Sequence, residues 1–136
     1  MSKLSFLEKL NTAPKSSFHT LDAPKSKRMG GVSTLYIPTV DEVADAIRAI
    51  PKGETRTIEE LRAYLAKIGH ADTACPAKTL KYWKWMANLP EDQKVEHSKY
   101  DIPWWRVLKG GKPNRHMPGG IENQKTILES ENLHNH

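Results

Sequence analysis

The sequence predicts a mainly helical winged helix-turn-helix fold with a small β wing. Three observations carry this reading. Two stretches with capping-box spacing, Thr39/Glu42 and Thr57/Glu60, open amphipathic helices. A third helix, starting at Pro76, follows the second after a short turn. Farther on, "IPWWRVLKGGKPN" reads as a short extended piece ending in a glycine turn, the pattern of a wing.

Residues 1–31 are read as a basic, mobile N-terminal arm, and residues 32–136 as the domain. "NTAPKSSFHTLDAPKSKRMGG" mixes Pro, Ser, Gly and Lys with no apolar period, after a short helix near "SFLEKL". Lys25, Lys27 and Arg28 give the arm a basic cluster, either a phosphate contact or a solvated tail. The first domain helix carries Val40, Val43, Ala44, Ile47 and Ile50 at helical spacing and stops at Pro51 and Gly53. The second lines one face with Leu61, Tyr64, Leu65 and Ile68, and Gly69 suits its C-terminal cap. In the third, Ala77, Leu80, Trp83, Lys84 and Ala87 fall on the side expected to pack, with the lysine snorkelling. "NLPEDQKVEHSKYD" reads as a polar loop, and "GGIENQKTILESENL" as a last helix with Ile121, Gln124, Leu128 and Glu131 or Ile127 sharing sides. His134 and His136 read as a terminal tail.

With 136 residues, the chain has room for one domain with a real core. No apolar run approaches the ~18 residues of a membrane span, and charges interrupt the start as they would not in a secretory signal. The single cysteine, Cys75, leaves no internal disulfide and no multi-cysteine zinc cluster. A cytoplasmic, nucleoid-associated monomer without cofactor or metal is the expectation. A formal net charge of +5 favours an anionic partner, nucleic acid first.

On the third helix, Lys78, Lys81, Tyr82 and Trp85 fall on the side opposite the packing residues. Lysines and rings there suit phosphate contact, base edges or stacking on an extruded base; a solvated face is the plainer reading. Cys75, at the N-cap of that helix, is placed where a helix dipole favours thiolate, so it is a candidate nucleophile. A lone cysteine is more often an inert small hydrophobe. The adjacent Trp104 and Trp105 cannot both face one side of an extended segment, so at least one is expected at a surface or a site.

"IPKGETRTIEEL", "CPAKTLKYWKWMANLP", "IPWWRV" and "GGIENQKTILESEN" resemble, in order and spacing, the DNA-binding domain of the O6-alkylguanine-DNA alkyltransferases. The closer resemblance is to the alkyltransferase-like proteins that lack the acceptor cysteine, and it runs from about Val40 to Leu133. The transferases carry Pro-Cys-His-Arg-Val, in which the cysteine takes the alkyl group from a flipped guanine and the histidine, oriented by a glutamate of the last helix, activates it through water. This chain has Trp104 in the cysteine's place, Trp105 in the histidine's, and Glu131 as the glutamate. An indole has no thiolate and no basic nitrogen, so transfer by that route is excluded.

The resemblance implies a lesion pocket of Pro103, Trp104, Trp105 and Arg106, with Trp104 lining it and Trp105 packed beneath. It implies a DNA-binding set of Thr57, Lys78, Lys81, Tyr82, Trp85 and Lys109. Two departures stand out. Ile58 replaces the tyrosine that rotates the target phosphate, and Lys78 replaces the arginine that fills the gap left by the base. The implied partners are duplex DNA with a modified guanine and downstream repair proteins. Three functions remain open: a lesion binder that flips the base without alkyl transfer, a winged-helix regulator indifferent to damage, and a transferase using Cys75.

Overall fold

The computed structural model describes residues 5–134, with side chains through residue 132. The first four residues of the arm and His136 fall outside that description, whereas His134, read as part of a tail, is the last residue of the final helix. The elements run α1 (Phe6–Asn11), β1 (Ser17–Thr20), α2 (Ala23–Arg28), β2 (Thr34–Ile37), α3 (Val40–Arg48), β3 (Arg56–Thr57), α4 (Ile58–Ile68), β4 (Thr73–Ala74), α5 (Pro76–Ala87), α6 (Glu91–Glu96), β5 (Val107–Leu108) and α7 (Gly120–His134). Two 3-10 turns, Ser98–Tyr100 and Trp104–Arg106, lie between α6 and β5.

The expected mainly helical class holds. Helices α3, α4 and α5 pack on one another, and α4–turn–α5 is the helix-turn-helix. Both capping boxes form: Thr39 Oγ1 accepts from Glu42 N at 3.1 Å, Thr57 Oγ1 from Glu60 N at 3.1 Å, and each glutamate reaches back to its N-cap amide. All the apolar positions expected of α3 are buried. On α4 the buried side is Ile58, Leu61, Leu65 and Ala66, while Tyr64 and Ile68 are exposed, so its face lies to one side of the expected one.

Gly69 ends α4 for a different reason than a left-handed cap. Its φ is −83°, and the positive φ belongs to His70 at 54°. A Cβ on Gly69 would stand 2.2 Å from the Tyr36 ring, so the glycine is required by close approach.

Two stretches differ from expectation. In the one read as an extended arm, α1 is capped by Ser5, α2 is capped by Asp22, and β1 pairs antiparallel with β2 from Ser17↔Ile37 to Thr20↔Thr34. Strand β2 also pairs parallel with β4 inside the helix-turn-helix turn, giving a three-stranded sheet in the order β1-β2-β4. Helix α1 docks on α5, with Leu10 buried. The other is the polar stretch after Asn88. It forms α6, whose Glu91 and Asp92 suit the positive end of the helix dipole. It then buries Tyr100, whose hydroxyl donates to Asn11 Oδ1 at 2.7 Å. The wing is smaller than a strand pair: β5 joins β3 over two residues, and Lys109–Lys112 close a tight turn in which Gly110 and Gly111 have φ of 62° and 73°.

Candidate nucleic-acid interface

The motif segment, Pro103 to Leu108, is fixed from three sides. The indole N–H of Trp83 on α5 donates to the Trp104 carbonyl at 3.0 Å. From α7, Gln124 Nε2 donates to the carbonyls of Trp105 and Val107 at 3.1 and 2.8 Å, and its Oε1 accepts from Asn114 N at 2.8 Å. Glu131, two turns farther along the same side, accepts from the Trp105 indole at 2.7 Å and from Arg106 Nη2 at 2.8 Å. Arg106 also donates through Nε to both carboxylate oxygens and through Nη1 to the Ile50 carbonyl at 2.9 Å.

Glu131 is 7% exposed. Burial pushes its carboxyl up, but the hydrogen bonds from Arg106, Trp105 and the Gly53 amide, together with the Arg106 charge, hold it below the ordinary carboxylate value. It is therefore an ionised acceptor whose oxygens are already engaged. In the place where the resemblance puts a basic imidazole stands an indole that only donates.

The tryptophans are arranged opposite to expectation. Trp104 is 5% exposed and belongs to the core, whereas Trp105 is half-buried at its edge. Their rings meet edge to face at 5.5 Å and 86°, and the Arg106 guanidinium lies 5.8 Å from the Trp105 ring centre. Pro103 is half-buried beside them.

Helix α5 is rotated relative to the expected faces. Its buried side is Thr79, Tyr82, Trp83, Met86 and Ala87. Tyr82 is 0% exposed and cannot face a groove; its hydroxyl, raised in pKa by burial first and Cys75 second, has no hydrogen-bond partner among the described residues. Ala77, assigned to the packed side, is exposed, because the large rings took the core. The outward stripe runs Ala77, Lys81, Lys84, Asn88 at one-turn spacing. Lys78 and Trp85 flank it and border a cleft of about 170 Å³ against α1, in which Lys9 Nζ lies 5.4 Å from the Trp85 ring. That side of α5 therefore faces the N-terminal helix. Thr57 is engaged as the α4 cap, and Lys109 is exposed at the wing tip.

Cys75 is the α5 N-cap, half-buried, with no side-chain capping bond. Eight residues of helix, about 12 Å of rise, separate it from Trp83 and hence from the motif segment.

Sequence reasoning missed Trp83 and Gln124 as the clamps on this segment. For Gln124 the signal was a glutamine sharing a helical side with apolar residues and Glu131. It also missed the basic group at the α5–wing junction. There, Asn88 Nδ2 donates to the His116 carbonyl at 2.9 Å, bringing Lys84, Lys109, Arg115 and His116 near one another.

A helix-turn-helix with a lysine stripe, closed by a glycine wing, defines a winged DNA-binding class of domain. Residues 38–133 match the family model described as 6-O-methylguanine DNA methyltransferase, DNA binding domain, and the chain belongs to that family. Among solved structures, it is similar to S. pombe ATL in complex with DNA, at 23% identity over 68% of this chain and 73% of that one, with a TM-score of 0.45. No curated protein matches it significantly.

Proposed function

We propose that the chain binds duplex DNA and recognises a modified guanine extruded from the stack, without accepting its alkyl group. The observation that carries this reading is the chemistry at the motif: Trp104 is closed in the core, and Trp105 donates to an ionised Glu131 already bound to Arg106. Neither indole can form a bond to an alkyl carbon or take up the proton of a nucleophile, and both Glu131 oxygens are held by Arg106, Trp105 and Gly53.

An extruded base would rest against the exposed part of Trp105, with Trp104 as the fixed wall behind it. An O6-alkylated guanine pairs poorly, so it leaves the stack at lower cost than an intact one, and that difference contributes to selectivity. Lys81 and Lys109 supply phosphate contacts from the outer stripe and the wing. Pairing with a repair pathway that excises the base would follow from binding without chemistry.

The test is titration of duplexes containing guanine or O6-methylguanine with wild type, Trp105→Ala and Lys81→Ala. Trp105→Ala should lose most of the preference for the damaged duplex, by about tenfold for one lost stacking contact. Lys81→Ala should weaken both duplexes alike. Equal losses in Trp105→Ala on the two duplexes would remove the pocket from this account.

Burial of Trp104 favours a second reading, a winged-helix DNA binder indifferent to damage. Its signature is equal affinity for the two duplexes. A transferase using Cys75 is the weakest, because the thiol is about two helical turns from the motif.

A further inference from the structure

We propose that Lys84, Lys109, Arg115 and His116 form a binding site for one backbone phosphate of DNA at the junction of α5 and the wing. The inference rests on the DNA-binding part of the reading above and not on lesion recognition.

The site is built rather than scattered. Asn88, one turn beyond Lys84, uses its amide to donate to the Lys84 carbonyl and to the His116 carbonyl, both at 2.9 Å. This fastens the wing loop to the end of the helix. The His116 amide is held in turn by Asn114 Oδ1 at 2.8 Å. Arg115 Nε donates to His116 Nε2 at 3.4 Å, which requires a neutral imidazole.

Among the described residues, no carboxylate is paired with this group. The ion pairs among the described residues join Arg48, Arg56, Lys94 and Arg106 to acids, and none involves these four side chains. The pKa of Lys84 is lowered by burial first and then by Lys109 and Arg115; that of His116 is lowered first by Lys84, then by slight desolvation, Arg115 and Lys109. A cationic cluster kept at close quarters without an anion is relieved by a phosphate. The outward stripe of α5 leads from Lys81 directly into it, as a track along a DNA backbone would.

The charges facing His116 are Lys84 from α5 and Lys109 and Arg115 from the wing. A phosphate among them reverses the local field and frees Arg115 from the imidazole, so His116 takes up a proton as DNA binds.

The experiment is affinity of the whole chain for an undamaged duplex against KCl concentration, at pH 5.5 and 7.5. It compares wild type, Lys109→Gln/Arg115→Gln and His116→Gln, with melting curves to confirm folding. The double variant should lower the slope of log affinity against log salt by about one. Wild type should gain several-fold more affinity at the lower pH than His116→Gln does. Relief of repulsion should leave the double variant's melting temperature at low salt unchanged or raised. A slope unchanged in the double variant, or the same pH response in His116→Gln as in wild type, overturns the phosphate site while DNA binding stands. Absence of wild-type binding at low salt overturns both.

Discussion

Glu131 accepts from Trp105 and Arg106 of the motif segment and from the Gly53 amide after α3, so it ties two distant parts of the chain to α7. Glu131→Ala leaves the Arg106 guanidinium without its counter-ion in a nearly closed site, and should cost about 3 kcal/mol in chemical denaturation. Its folded pKa lies below its unfolded one. The stabilisation is thus complete above the ordinary carboxylate pKa and is lost as pH falls through the lower folded value. Between about pH 5 and 3, wild type should lose more stability than Glu131→Gln, which has no carboxylate to protonate. Tyr82→Phe is a contrasting case, because it removes a buried hydroxyl that has no partner. It should leave stability unchanged or raise it by about 1 kcal/mol, with duplex affinity intact. A drop in affinity would return Tyr82 to the interface. Residue identities in the motif were legible from the sequence. Which tryptophan is buried was not, because alternation says that neighbours diverge and not which one the core takes.

At the scale of elements, both capping boxes, α3 and α7 were read from local chemistry, since hydroxyl-x-x-carboxylate spacing and apolar period are properties of a few adjacent residues. Thr39→Ala and Thr57→Ala should each cost about 1 kcal/mol, read as a shift in the denaturation midpoint. The face of α5 was misplaced because its rings and lysines allow more than one amphipathic side, and packing against α3 and α4 chose the side with Tyr82, Trp83 and Met86. Gly69 was legible as the end of α4 but its reason was not, because Tyr36 is brought to it only by the pairing of β2 with β4. Gly69→Ala should destabilise by about 2 kcal/mol, since the alanine methyl meets an aromatic ring and the strand must shift.

For the whole molecule, the class of fold and the family were legible because the helix-turn-helix and motif segments lie in sequence order with short connections. The N-terminal sheet was not, because Ser17–Thr20 has no alternating apolar face and its pairing with Thr34–Ile37 is decided across a gap that contains α2. The basic junction of α5 and wing was invisible for the same reason: Lys84 and Arg115 meet only through the fold. The claim at the centre of this account is recognition without transfer, and one measurement meets it most directly. Matched duplexes with guanine or O6-methylguanine are titrated by tryptophan fluorescence, and the same samples are then weighed as intact protein. Recognition without transfer requires tighter binding of the damaged duplex with the protein mass unchanged. A mass gain of one methyl group, or equal affinity for the two duplexes, would contradict it.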